Sequence, residues 1–303
     1  MLIRLAITAV ILVLLARGID FGESARAIAA IDLRYLALVL GLVAIDRCVM
    51  IWRWILLLRA RGIKITGSEA ARLFLVSSFV GSFLPAGVGA DAARAYGLSR
   101  DSATGSEAVA SVAVDRLLGI VSLIVMAFIG LRVWPSNQRD WRLEGLIIAA
   151  LVACIVVFWI HDWLRRLTPA HLREGFFVRR VLRLTEAVKH YRSHKGTLLH
   201  VMAWSLVVQV LRITQAYFLG LGLGMTVPYA YYLLFMPVGL LMLLLPISIS
   251  GFGVPQGVIV WLLRPVGVPD AQSFALSTLI VLTGLAGNLP GLWLWLRQRR
   301  EIL

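Results

Sequence analysis

Apolar runs of about bilayer length recur along this sequence and decide its fold class. The clearest are residues 36–58, 108–131, 197–221 and 273–296, and a helix of ~20 apolar residues crosses a hydrocarbon core. Only 15% of the residues are charged, whereas a soluble domain carries about 25%. Because lipid cannot satisfy backbone hydrogen bonds, such runs must be helical. The sequence therefore predicts an all-α polytopic membrane protein.

Two shorter apolar runs, residues 5–15 and 143–160, complete a set of six predicted full transmembrane helices in a single transmembrane domain, 1–303. The links 59–72 and 161–196 are strongly basic, which predicts that they lie in the cytoplasm. Together with the basic end of the last span, this rule places both termini on the cytoplasmic side.

The apolar segment 73–84 is interrupted where it meets Pro85, Gly87 and Gly89. Proline removes a backbone donor and the glycines allow a sharp turn, so the helix does not continue. Within a bilayer, broken backbone is tolerated only against protein or a water-filled cavity. We therefore predict a re-entrant helical hairpin over about residues 69–98.

A second interruption has the same arrangement, because Pro246 is followed by Gly251 and Gly253, which predicts a hairpin over about residues 229–264. By the charge rule the first hairpin enters from the cytoplasm and the second from outside. Two opposed interrupted segments form an inverted repeat, which points to a binding site near the midplane. In the alternative interpretation each break only kinks a full span, which gives about ten crossings with the termini on the same side.

Charges inside the apolar segments are costly unless they face a partner or a cavity. Asp46-Arg47 and Asp115-Arg116 are adjacent in sequence. Their side chains therefore point about 100° apart on a helix, so neither pair closes simply on itself. We expect one member of each pair to reach another helix.

Asp91 and Arg94 share one helix face, and Arg212 has no acid near it in sequence. The planar fork of an arginine suits a phosphate group. The predicted headgroup-binding residues are Arg94, Arg116 and Arg212, with Asp91, Asp115 and Asp46 as supporting acids. In the alternative interpretation, Asp91, Arg94, Asp115 and Arg116 form a purely structural salt-bridge cluster. Arg53 is expected to reach the headgroups.

The remaining polar residues are weaker indications of a functional site. Ser248, Ser250, Gln256 and Asn288 could line a polar path, although a membrane serine usually makes a backbone or interhelical hydrogen bond. No histidine, cysteine or nucleotide-loop spacing predicts a metal or a cofactor. The net charge of +14 is carried by links between apolar spans, which favours anionic lipid over nucleic acid as the partner.

Four ordered motifs resemble the flippase-like membrane family that is related to the transmembrane half of lysylphosphatidylglycerol synthases. They are Leu84-Pro85 followed by Gly89, Asp91 and Arg94; Asp115-Arg116; the turn Pro246 to Gly253; and Leu289-Pro290-Gly291. The resemblance covers most of the chain. It implies a multi-pass protein of the bacterial inner membrane that handles or translocates a lipid or a lipid-linked molecule.

Two positions depart from the family pattern. Ala90 stands where the family usually has glycine, and Val254-Pro255-Gln256 replaces a basic residue and a glutamate. The second change weakens the case for a proton-coupled role of the second hairpin. The sequence also ends at Leu303 without the soluble aminoacyl-transferase domain of the full synthases, so we expect no enzyme activity.

The resemblance and the charges lead to a main hypothesis and an alternative. In the first, the protein is a flippase-like carrier of an anionic phospholipid or lipid-linked molecule. In the second, it is an accessory subunit that presents such a lipid to a separate membrane enzyme through its basic loop. A membrane-embedded transferase has little residue support. Candidate partners are therefore a membrane lipid, a membrane enzyme and a second copy of the chain in a homodimer.

Overall fold

The computed structural model describes residues 20–83, 88–101, 105–134, 193–243 and 254–302, with scattered positions between 145 and 191. Every regular element in the continuous described ranges is a helix. In chain order these helices are α1 Phe21–Ala29, α2 Leu33–Ala60, α3 Gly67–Ser82, α4 Val88–Asp101, α5 Gly105–Val133, α6 Lys195–Gly222, α7 Tyr229–Leu243, α8 Val254–Leu263, α9 Asp270–Ala286 and α10 Leu289–Ile302.

Four helical stretches in the described residues are long and apolar enough to cross a membrane. They are Leu33–Ala60, Gly105–Val133, Lys195–Gly222 and Asp270–Arg297, the last of which runs from α9 into α10. The predicted all-α polytopic membrane fold is therefore confirmed. The predicted span 5–15 lies outside the described residues, and 143–160 is described only at isolated positions.

Local sequence sets the ends of these helices. The side chain of Asp32 accepts a hydrogen bond from the Arg34 N–H at 2.8 Å and so caps the start of α2. Gly62, with φ of +67°, ends α2 in a left-handed turn that a side chain would strain. Thr66 and Glu69 form a reciprocal capping box at the start of α3.

The long helices pack closely and in defined directions. Helices α2 and α6 run antiparallel, since Asp46 contacts Arg212 while Arg53 contacts Ser205. Helix α5 crosses α7 at Gly130, where an added Cβ would collide with the backbone carbonyl of Leu233. Small residues at such crossings let backbones approach in membrane proteins. Helix α5 also contacts α6, since Gln209 donates to the Ser122 hydroxyl at 3.0 Å.

Helices α3 and α4 form an antiparallel pair. Gly81 near the end of α3 lies against Ala90 near the start of α4, and Leu73 lies against Gly97. The helices have 16 and 14 residues, or about 24 and 21 Å at 1.5 Å per residue, against a hydrocarbon core of about 30 Å. A helical hairpin is therefore present at the first predicted position.

Helices α7 and α8 form a second antiparallel pair. Gly239 faces Ile259, and the hydroxyl of Tyr231 donates to the carbonyl of Leu262. The re-entrant depth of both hairpins and their inverted relation stay predictions. Gly89 lies in the first turn of α4, whereas the other predicted turn and path residues lie outside the described residues: Pro85, Gly87, Pro246, Ser248, Ser250, Gly251 and Gly253.

Candidate functional site

A largely buried group of five charges joins α2, α4 and α5, and we call it the Asp115 cluster: Arg53, Asp91, Arg94, Asp115 and Arg116. Asp115 Oδ1 lies 2.9 Å from Arg53 Nη2, and Oδ2 lies 3.3 Å from Arg94 Nη2. Asp91 Oδ1 lies 3.3 Å from Arg94 Nη2, and Oδ2 lies 2.5 Å from Arg116 Nε. Each aspartate therefore pairs with two different arginines through its two oxygens.

Arg94 occupies the centre of the Asp115 cluster and is only 4% exposed. Its guanidinium also lies 5.0 Å from the Trp54 ring and 5.2 Å from the Phe74 ring, which adds cation–π attraction. The i, i+3 spacing on α4 places Asp91 beside it. These contacts favour the structural salt-bridge interpretation for Arg94 and Asp115.

Arg53 has a different position from the expected one. It is 4% exposed, pairs with Asp115, and donates from Nη1 to the hydroxyl of Ser205 at 3.0 Å. The expectation that it extends to the headgroups is therefore wrong. The physical reason is that the buried carboxylate of Asp115 on α5 pairs with the Arg53 guanidinium. The side chain therefore does not extend to the water at the membrane boundary.

A second group of charges joins α2, α6 and α9, and we call it the Asp46 cluster: Asp46, Arg47 and Arg212. Asp46 Oδ1 lies 3.2 Å from Arg212 Nε, and Oδ2 lies 3.2 Å from Arg47 Nη1. Arg47 Nη2 donates to the carbonyl of Gly284 at 3.0 Å, near the end of α9. Here too one buried aspartate is shared by two arginines. The expectation that the Asp46-Arg47 pair would not close on itself is wrong, because the long Arg47 side chain reaches the neighbouring carboxylate.

Arg212 has a partner that sequence proximity could not reveal, because Asp46 is 166 residues away along the chain. Its Nη2 also contacts the thioether of Met50 at 3.0 Å. Its side chain is still 27% exposed, and that of Arg116 is 43% exposed. Of the three predicted headgroup-binding arginines, these two are accessible and Arg94 is not.

The Asp46 cluster and Arg53 of the Asp115 cluster lie on one polar face of the α2–α6 interface. Asp46, Met50 and Arg53 recur at helical spacing on α2, opposite Arg212, Gln209 and Ser205 on α6. Gln209 donates to the hydroxyl of Ser122 at 3.0 Å between them. Seven residues separate Asp46 from Arg53, which is about 10 Å along the helix. This spacing was the signal in the sequence that could have brought Arg53 and Ser205 into the site.

The clusters carry a positive excess. Among the described residues, the clusters contain five arginines and three aspartates, an excess of two positive charges. An excess of positive charge within membrane-spanning helices is costly without a counter-anion. The arrangement therefore favours an anionic group at the accessible arginines.

The predicted polar path is described at two positions. Gln256 is buried on α8. Asn288 donates to the Ser82 hydroxyl at 2.9 Å and joins the α9–α10 turn to the end of α3. In the described residues no group of three His, Cys, Asp or Glu side chains could hold a metal.

A cavity of about 430 Å³ lies away from both clusters, between the turns around Gly224 and Gly267. Its lining includes Trp134, Met225 and Gln272 and contains no charged residue among those described. It therefore offers no charged side chain to a phosphate among the described residues.

The fold and these clusters define a helical multi-pass membrane protein with paired arginines in its interior. The chain belongs to the family of the lysylphosphatidylglycerol synthase transmembrane region, whose model matches residues 1–291. The family resemblance expected from the four sequence motifs is therefore confirmed. No curated protein matches the chain.

Proposed function

We propose that this protein binds the headgroup of an anionic phospholipid or lipid-linked molecule at Arg212 and Arg116 and moves it across the bacterial inner membrane. The acyl chains stay in the bilayer while the headgroup passes the two accessible arginines, Arg212 on α6 and Arg116 on α5. The chain acts without catalysing a reaction of its own.

The observation that carries the proposal is the pairing of an accessible arginine with a shared aspartate in both clusters. Asp46 holds Arg212 by Nε, and Asp91 holds Arg116 by Nε. Each guanidinium is thereby oriented in advance, so little side-chain entropy remains to be lost when a phosphate binds. Among the described residues Arg212 Nη1 has no protein acceptor, which leaves a donor for a phosphate oxygen.

Membership of the family supports the same function, since this is the membrane region of proteins named for a lipid product. The excess of two positive charges among the described cluster residues supports an anionic headgroup over a zwitterionic one. Hydrogen bonds to a charged group contribute about 1.5–3 kcal/mol. Loss of one Arg212–phosphate contact should therefore reduce headgroup binding by roughly 10- to 100-fold, at about 1.4 kcal/mol per tenfold.

The test is lipid scrambling in proteoliposomes with fluorescent phosphatidylglycerol and phosphatidylcholine. We expect the wild-type protein to accelerate phosphatidylglycerol movement and Arg212→Gln to lose at least tenfold of that acceleration. Arg212→Lys should retain part of it because the charge remains. Arg132→Gln is the matched control, since Arg132 is exposed at the end of α5 and contacts the Phe128 ring.

Arg212→Gln should fold normally, because Arg47 still neutralises Asp46. Equal scrambling by wild-type protein and Arg212→Gln would reject the headgroup site. Binding of phosphatidylglycerol with no acceleration of its movement would reject translocation and leave the alternative role of presenting lipid to a partner enzyme.

A further inference from the structure

The side chain of Met50 lies between the two arginines of the Asp46 cluster. Its thioether sulfur accepts a hydrogen bond from Arg212 Nη2 at 3.0 Å and another from Arg47 Nη1 at 3.7 Å. The two guanidinium groups come from different helices, α6 and α2. Their N–H groups therefore converge on one point, which the Met50 sulfur occupies.

The spacing on α2 places Met50 at this point. Met50 follows Asp46 by four residues, so the two side chains are neighbours on one face of the helix. Asp46 holds Arg212 by Nε at 3.2 Å and Arg47 by Nη1 at 3.2 Å. The carboxylate thereby orients both guanidinium groups, and further N–H groups of both arginines reach Met50 on the next turn of α2.

A thioether is a poor acceptor for two charged donors. Sulfur accepts hydrogen bonds only weakly, whereas hydrogen bonds between a guanidinium and an anionic oxygen are short and about twice as strong as neutral ones. A phosphodiester has two such oxygens on one phosphorus atom, and the N–H groups of arginine match that geometry. A phosphate group at the position of the Met50 sulfur would therefore form stronger hydrogen bonds with the same donors.

Met50 is also a side chain that can leave this position. It is half-buried and packs against the apolar residues around Trp54 and Leu58. Methionine has three rotatable bonds and fits irregular apolar gaps, so neighbouring apolar surface is available to it. The side chains of Arg47 and Arg212 are 17% and 27% exposed. A ligand can therefore reach the two guanidinium groups.

We infer that the phosphate group of the lipid binds between Arg47 and Arg212 and displaces the Met50 thioether. This inference rests on the proposed function and adds two residues to its binding site. Arg47 is a second phosphate-binding residue beside Arg212, and Met50 sets the affinity because it competes for their donors. The ligand class is a phosphodiester, whose two free oxygens each accept from one guanidinium group.

Two substitutions of Met50 test this competition because they change the affinity in opposite directions. Met50→Ala removes the competing sulfur, so phosphatidylglycerol should bind severalfold more tightly. Met50→Gln has a similar length and brings an amide oxygen to both arginines, which accepts hydrogen bonds better than sulfur. Phosphatidylglycerol should therefore bind about tenfold more weakly to Met50→Gln. A side chain that only packs against its neighbours would not give opposite changes.

The assay is energy transfer from the tryptophans of the full chain to dansyl-labelled phosphatidylglycerol, titrated by mole fraction in detergent micelles. Arg47→Gln should weaken binding by roughly tenfold or more, through loss of one charged hydrogen bond. Met202→Ala is the matched control for the methionine variants, since Met202 is half-buried on α6 against the apolar residues around Tyr191. Its affinity should equal that of the wild type. Thermal unfolding in the same micelles shows that the compared variants are folded.

The outcomes separate this inference from the proposed function. If Arg212→Gln weakens binding while Arg47→Gln and both Met50 variants bind like the wild type, the lipid is held at Arg212 alone and the inference is wrong. Changes in the same direction in both Met50 variants would also overturn it. If Arg212→Gln itself binds like the wild type, the proposed headgroup site is wrong and the inference falls with it.

Inorganic phosphate as a competitor distinguishes a lipid headgroup from a free anion. It should not displace the labelled lipid at equal concentration, because the acyl chains hold the lipid in the same micelle as the protein. Displacement that becomes stronger in Met50→Ala and weaker in Met50→Gln would assign the site to a free phosphate and overturn the assignment to a lipid.

Discussion

Replacement of Asp115 by asparagine tests whether the Asp115 cluster stabilises the fold. Asparagine keeps the shape of the side chain and removes its charge. Arg94 retains Asp91 at 3.3 Å, whereas Arg53 retains only the neutral Ser205 hydroxyl among the described residues. The variant therefore leaves one buried guanidinium without a counter-charge.

The expected loss of stability follows from the one guanidinium that is left without a counter-charge. Removal of one partner from a buried ion pair costs about 3–5 kcal/mol, and Arg53 and Asp115 are both almost fully buried. The matched comparison is Arg116→Gln, where the cationic side chain is 43% exposed. Its loss should cost no more than about 1 kcal/mol, as for other exposed pairs.

The assay is reversible unfolding in mixed micelles with a rising fraction of SDS, followed by the fluorescence of the ten tryptophans. We expect Asp115→Asn to lower the free energy of unfolding by several times the effect of Arg116→Gln. The double variant Asp115→Asn with Arg53→Met should recover most of the loss, because the orphaned charge is removed as well. A loss below about 1 kcal/mol for Asp115→Asn, or no recovery in the double variant, would refute the reasoning.

Two further predictions concern helix packing and helix ends. Gly130→Ala should destabilise the protein and separate α5 from α7, since its Cβ would collide with the Leu233 carbonyl. Gly41→Ala, with nothing within 4 Å of the added Cβ, should be neutral or stabilise by up to about 1 kcal/mol, and thermal unfolding in detergent compares the two variants. Thr66→Ala should cost about 1 kcal/mol through loss of the α3 cap. Amide exchange at Glu69 should be faster in Thr66→Ala than in Thr66→Ser, which keeps the capping hydroxyl, and equal exchange in both would contradict a capping role.

The hairpins show which features of the fold the local sequence predicts. The interruption at Pro85 predicted a break, and the described helices on either side of it, α3 and α4, form an antiparallel pair. Proline and glycine act on the backbone of their own segment, so their effect can be read locally. The depth of that pair in the bilayer depends on contacts with other helices and stays a prediction.

Composition and apolar run length alone determined that this is an all-helical membrane protein, because backbone N–H and C=O groups in a bilayer must form their hydrogen bonds within the protein. The motifs determined the family, and adjacency on a helix predicted that one member of each pair, Asp46-Arg47 and Asp115-Arg116, reaches another helix. The partners themselves were decided only by the tertiary structure. Arg212 meets Asp46, and Arg53 meets Asp115 and Ser205, because α2 and α6 pack antiparallel in one register. Register between helices far apart in sequence depends on the packing of whole faces, and no local pattern contains it.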